Sequence, residues 1–167
     1  MNRFTRNKNL KYYEDYPLEG NCGSFALRIE EWYEPDDSLS CDNNEYAEHR
    51  LFCDGEYEDI VLDEILERNL LGMKKDFGDE IRVLEDENDI KEDEELIAFR
   101  VGMNVLDDWV ETDFHYRVLR NGKWQEKLGA GPVIPETKLE KGCSWNTGGW
   151  IYDSNIVFLA HKLGALA

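Results

Sequence analysis

Asp113-Phe114-His115-Tyr116-Arg117-Val118-Leu119-Arg120-Asn121-Gly122-Lys123-Trp124-Gln125-Glu126-Lys127-Leu128 is the stretch that decides the fold. Asn-Gly between two β-prone runs is a strong hairpin signal, because both residues tolerate the left-handed backbone of a type I′ turn. Such a turn pairs Arg120 with Lys123, Leu119 with Trp124 and Arg117 with Glu126, and sets His115 opposite Leu128. Side chains alternate faces, so His115, Arg117 and Leu119 share a face with Trp124, Glu126 and Leu128. Glu126 is then the diagonal neighbour of His115, within reach of a long side chain. Gln125 points to the other face unless the register slips by one residue.

Further strands are expected on either side of this hairpin. Ile81–Leu84 reads as a short one, and Glu92–Glu95 leads into the β-branched and aromatic run Leu96–Val101. Gly129–Pro135 reads as loop, and Asn155–His161 as the last strand. Helical periodicity lies upstream. Cys22, Phe25, Ala26, Ile29, Trp32 and Tyr33 recur on one side of a helix with Asn21 as N-cap and Pro35 as its end. A second helix is expected over Ile60–Leu71, with Val61, Leu62, Ile65, Leu66 and Leu70 as its apolar side. Helices first and then consecutive strands predict an α+β fold with an antiparallel sheet. The expected organisation is one domain over 1–167, with an N-terminal arm over 1–20 and an acidic loop or insertion over 36–59.

The net charge of −18 argues against binding nucleic acid or an anionic membrane surface, and favours a basic partner. Acidic residues are densest over Asp36–Asp59 and Glu85–Glu95, where solvated loops and helix faces are the ordinary reading. Met1–Tyr16 lacks the apolar core of a signal peptide, and no apolar run approaches the roughly 20 residues of a membrane span. The cysteines Cys22, Cys41, Cys53 and Cys143 therefore read as reduced thiols in a cytoplasmic protein.

A nucleophilic thiol needs a lowered pKa, a base within hydrogen-bond reach and a group that orients the base. Cys22 in the first turn of a helix meets the first need, since the amides there favour an anion. The small Gly23 and Ser24 leave those amides approachable. His115, one of only three histidines, is the candidate base. Glu126 is the first choice to hold the imidazole and Gln125 the second. For an oxyanion the amide of Cys22 is the candidate, with Asn21 or Tyr16 as further donors.

A cysteine at a helix start, then a strand histidine, then a polar residue one hairpin later resembles the papain-like cysteine peptidase superfamily, and most of all its NlpC-like branch of peptidases and amidases. Asn21-Cys22-Gly23-Ser24-Phe25-Ala26-Leu27, Asp113-Phe114-His115-Tyr116-Arg117 and Gly122-Lys123-Trp124-Gln125-Glu126-Lys127-Leu128-Gly129 are similar to motifs of a small group of bacterial and phage-type proteins. Tyr152 and Ile156–Ala160 resemble that group's closing strand. The matched motifs cover about a third of the chain, in the right order. One position departs: Glu126 stands where the group usually has histidine. The resemblance implies a papain-like fold and a Cys22–His115–Glu126 triad acting on a peptide or other amide bond, with no cofactor.

Each residue also has an ordinary reading. Cysteine is among the most buried residue types, a strand histidine is commonly packed, and a glutamate is commonly a surface acid. Cys41, His49 and Cys53, completed by Cys143 or His115, compete as a zinc site, but their spacing is not a standard one, so no metal is expected. His161 reads as structural or exposed, and Asn146, Asp153 and Ser154 as turn residues. Trp145 and Trp150 are expected to cap a core edge or line a cleft, and Gly148-Gly149 is too short for a phosphate loop. The alternative to a thiol hydrolase is a noncatalytic acidic protein that binds a basic partner as an inhibitor or charge mimic, including one built on a papain-like scaffold.

Overall fold

Asn121 has φ 52° and Gly122 φ 73°, as the two central residues of a type I′ turn require. The computed structural model describes residues 20–35, 62–106, 109–147 and 149–163. The turn joins β3 (Trp109–Arg120) to β4 (Lys123–Lys127). Arg120 pairs with Lys123, Leu119 with Trp124 and Val118 with Gln125. There the ladder stops. On its other edge β4 pairs with β5 (Val133–Thr137), Trp124 with Thr137 and, past a register shift, Glu126 with Ile134 and Lys127 with Val133. The expected backbone pairs Arg117–Glu126 and His115–Leu128 therefore do not form. Arg117 and Glu126 meet through their side chains, at 2.8 Å. β5 takes the last three residues, Val133–Pro135, of the loop expected over Gly129–Pro135. It is an edge strand, where proline costs no ladder bond that faces solvent.

β1 (Ile81–Leu84), β2 (Glu94–Leu106) and β8 (Val157–Lys162) complete an antiparallel sheet of order β1-β8-β2-β3-β4-β5. The α+β class with an antiparallel sheet is the architecture adopted. Leu96 through Val101 of β2 are all buried, because the sheet is covered on both faces. Ile97, Phe99 and Val101 join Phe114, Tyr116 and Val118 of β3 in the core beneath the helices. Ala98 packs the other way, against Trp145 and Tyr152. Those two belong to a small hairpin, β6 (Trp145–Thr147) with β7 (Trp150–Tyr152). The sequence reading had only turn residues and a cleft-lining role here. Strands of three residues carry too few alternations to register as periodicity.

The first helix is shorter than its periodicity predicts. α1 spans Cys22–Leu27 and stops at Arg28, whose φ is 58°. The chain then doubles back so that Tyr33 returns to Asn21. Asn21 Oδ1 accepts from the Ser24 amide at 2.9 Å and from the Tyr33 amide at 3.2 Å, and Nδ2 donates to the Tyr33 carbonyl at 2.6 Å. The Ser24 hydroxyl sits between Asn21 Oδ1 and the Glu31 carbonyl. Ile29 and Tyr33 are buried through this return rather than along a helical stripe, and Trp32 is 44% exposed. Asn21→Ala removes an N-cap and leaves the Tyr33 peptide short of partners. Urea denaturation should show a loss of about 2 kcal/mol. A loss below about 0.5 kcal/mol, the scale of an ordinary surface change, would deny Asn21 this anchoring role.

α2 spans Leu62–Phe77, six residues beyond the expected end at Leu71. Ile65, Leu66, Met73 and Phe77 are its buried apolar residues, and Gly78, with φ 57°, follows its last residue. Ile60 and Val61, most of the N-terminal arm and the acidic segment 36–59 lie outside the described residues. Among the described residues no helix is long and apolar enough to cross a membrane.

Candidate active site

Because β4 leaves β3 after Val118, the β3 edge at Phe114–Tyr116 is not paired with β4. The start of α1 fills that place. The Cys22 thiol donates to the Phe114 carbonyl at 3.7 Å, and the Tyr116 amide bonds to the same sulfur. Along a strand, a carbonyl and the amide two residues on point to the same side. The sulfur thus occupies a ladder position beside the backbone of His115.

The His115 side chain leaves on the other face, as strand alternation requires. It is 3% exposed. Its ring stacks on Tyr152 with centroids 5.1 Å apart and meets the edge of Trp145 at 6.2 Å. Nε2 lies 2.7 Å from Glu126 Oε2. That oxygen also accepts from Arg117 Nε at 2.8 Å, and Glu126 Oε1 accepts from the Thr147 hydroxyl at 3.3 Å. Arg117 is held in turn by the Lys138 carbonyl at 3.0 Å and by the Trp145 ring, 4.3 Å from its guanidinium carbon. Burial pushes the Glu126 carboxyl up, but the hydrogen bond and charge of His115 and the charge of Arg117 outweigh it and bring it down to about 2. Glu126 is therefore an anion at neutral pH. An anion against Nε2 fixes the proton there and leaves Nδ1 as the basic nitrogen.

Cys22 and His115 are not joined by a hydrogen bond among those described. They do line one cavity of about 260 Å³, together with Asp113, Trp32, Trp150 and Tyr152. The helix start does not lower the pKa of the Cys22 thiol as its place in the first turn predicts. Burial pushes the Cys22 thiol well up, and the Asp113 carboxylate adds to the rise. The amides of Tyr116 and Gly23 pull only partly the other way. Cys22 is 5% exposed, and a helix of six residues has too few aligned peptides to offset that desolvation.

The remaining candidates fall as follows. Gln125 is directed to the Arg120 carbonyl at 3.1 Å, not to His115. Asn21 lines the cavity, but its side chain is committed to Ser24 and Tyr33. Tyr16, Cys41, His49 and Cys53 lie outside the described residues. Cys143 is exposed, 3.2 Å from Glu140 Oε2. Among the described residues no cluster of three or more His, Cys, Asp or Glu is arranged to hold a metal. His161 is fully buried and Ser154 donates from its amide to the Val101 carbonyl.

Five contributors to the site are not among the residues the sequence singles out for it. Asp113 accepts from its neighbour's amide, that of Phe114, at 2.8 Å and from the Tyr152 hydroxyl at 2.8 Å. Thr147 and Tyr152 arrive on the hairpin that was not foreseen. Lys127 is fully buried, donates to the Gly131 carbonyl at 2.9 Å and bonds Gly129 as well, closing the turn at the cavity wall. Arg117 alone had a signal: the hairpin register already put it on the Glu126 face.

No family model matches this chain, and no curated protein or solved structure matches it either.

Proposed function

We propose that this chain is a thiol hydrolase of papain-like design that cleaves a peptide or other amide bond. The observation that carries the reading is the shared cavity. Cys22 and His115 both line it, while Glu126 holds His115 by Nε2 at 2.7 Å and leaves Nδ1 as base. In the resting site the thiol keeps its proton and donates a hydrogen bond to the Phe114 carbonyl. Rotation about its Cα–Cβ bond frees the sulfur for attack. Cys22 Sγ then bonds to the substrate carbonyl carbon as its proton passes to His115 Nδ1. The carbonyl oxygen becomes an oxyanion against the Cys22 amide. Collapse expels the amine, which takes the proton from His115. Water, deprotonated by the same nitrogen, hydrolyses the thioester and restores the thiol.

The test is acylation by p-nitrophenyl acetate, followed by intact-mass and peptide mass spectrometry. One acetyl group is expected on Cys22, none on Cys22→Ala, and a rate about a hundredfold lower for His115→Ala, the scale of general-base assistance. Acylation that ignores His115→Ala, or that misses Cys22, would sink the proposal.

One observation favours a second reading, the noncatalytic acidic binder. The thiol is buried and held protonated, on a chain of net charge −18. Under that reading Cys22 takes no acetyl group, and Cys22→Ala leaves a salt-sensitive affinity for a basic partner intact.

A further inference from the structure

We propose that the cavity selects substrates carrying a positive charge, a primary amine or guanidinium, close to the bond that is cut. The inference rests on the thiol-hydrolase reading and names the substrate class of that same site.

The cavity's charged lining residues, apart from His115, are two carboxylates, Glu34 and Asp113, with no lysine or arginine among the described ones. Its other broad walls are aromatic. Trp150 and Tyr152 come from the small hairpin, and Trp32, 44% exposed, stands at the opening. A Cβ placed on Gly129 would lie 4.0 Å from the Trp32 ring, so the indole reaches the Leu128–Gly129 turn that also lines the cavity. Indole faces beside carboxylates attract a cation through the ring quadrupole and through charge, and desolvation inside a cavity strengthens both. An anionic side chain would meet the like charge of those two carboxylates. A volume of about 260 Å³ suits one side chain and the adjoining peptide unit, rather than a large ligand.

Asp113 supplies the second, independent reason. A carboxylate beside a nucleophilic thiol is chemically unfavourable, because it opposes the thiolate. Burial and Asp113 are the two largest causes that keep the Cys22 thiol protonated. A substrate cation seated against Asp113 cancels the second of them. The same contact that anchors the substrate then eases loss of the thiol proton to His115. An empty site, or one holding a neutral molecule, keeps a quiet thiol.

The experiment compares two chloroacetamides of equal length, N-(3-aminopropyl)chloroacetamide and N-butylchloroacetamide, by the rate at which each alkylates Cys22 in the full chain. Alkylation joins Sγ to the methylene carbon, expels chloride and passes the thiol proton to His115. The cationic probe is expected to react about tenfold faster, the size of a desolvated cation–aromatic preference. High salt should reduce that ratio. Asp113→Asn is expected to slow the cationic probe and to speed the neutral one, a crossing that simple damage to the fold cannot produce. Glu34→Gln should lower the ratio without speeding the neutral probe. Equal rates with both probes, while alkylation still depends on His115, would overturn the charge selection and leave the hydrolase reading standing. Failure of both probes to alkylate Cys22 would overturn both.

Discussion

Glu126→Leu is expected to lower the stability of the fold by about 3–5 kcal/mol, the cost of removing one partner from a buried charge pair. Arg117, 5% exposed, would keep its charge and lose its carboxylate, and His115, 3% exposed, would lose the acceptor at Nε2. The guanidinium cannot turn to water, because Trp145 covers it from the hairpin side. The loss should also depend on pH in a definite direction. The Glu126 carboxyl sits at about 2 in the fold against an ordinary 4.5. A depressed acid contributes its stability above the unfolded value and loses it as pH falls toward the folded one. The wild-type chain should therefore lose this contribution between about 4.5 and 2, and the leucine variant should show a shallower decline through that window. It should not become flat, because Glu94 and Glu95, tied to Arg82, Arg28 and Arg120, are depressed as well. Urea midpoints at neutral pH and through the acid window measure both effects. A loss below about 1 kcal/mol at neutral pH would mean that the Arg117–Glu126 pair is no better than a surface ion pair.

Glu126→Gln separates stability from chemistry. Its amide oxygen can still accept from Nε2–H, so the tautomer that leaves Nδ1 basic is retained. Acylation of Cys22 should survive better in this variant than in the leucine one, although both lose the charge that Arg117 faces. A glutamate thus serves two ends: it orients the imidazole and neutralises a buried guanidinium.

The hairpin shows why part of the site was legible. Turn chemistry is local, so Asn121-Gly122 set the register of the next three pairs, and alternation alone put His115, Arg117 and Glu126 on one face. What the register could not give was where the ladder ends: β3 and β4 pair only over Val118–Gln125, Leu119–Trp124 and Arg120–Lys123. Beyond Val118 the β3 edge carries Cys22 at the Phe114 carbonyl, so a tertiary contact decides where the thiol sits. The α1 error has the same origin. Ile29 and Tyr33 fit a helical stripe, but their burial comes from a reversal pinned by the Asn21 side chain across twelve residues. A spacing of apolar residues reports that they are buried, not by which route. The thiol's electrostatics were misjudged for a related reason. A helix start favours an anion only when solvent or a cation shares the site, whereas Cys22 is enclosed and faces Asp113.

Gly102→Ala is expected to unseat the small hairpin that completes the cavity. A Cβ at this position would lie 1.9 Å from the Ile151 carbonyl oxygen and 2.9 Å from Tyr152 Cα. Both are backbone atoms, so no side chain can rotate aside, and either β7 or β2 must move. β2 is central in the sheet, paired with β3 at Gly102 itself and with β8 as far as Phe99, while among the described residues β7 pairs only with β6. The hairpin should therefore yield. Its displacement takes Tyr152 from the His115 ring and from Asp113, draws Trp145 off Arg117, and removes Thr147 from Glu126. The cost should be about 3 kcal/mol, at the upper end for overpacking of a filled interior. Near-ultraviolet circular dichroism should change as Trp145 and Tyr152 lose their fixed surroundings, while the far-ultraviolet spectrum of the main sheet persists. His115-dependent acylation of Cys22 should fall about a hundredfold, the scale on which a misplacement of about 1 Å slows a reacting pair. Gly142→Ala is the matched control, since nothing lies within 4 Å of its added Cβ, and it should leave stability within about 0.5 kcal/mol. If Gly102→Ala behaves like Gly142→Ala, the hairpin does not rest on β2 at Gly102, and the cavity that brings Cys22 and His115 together loses one of its walls.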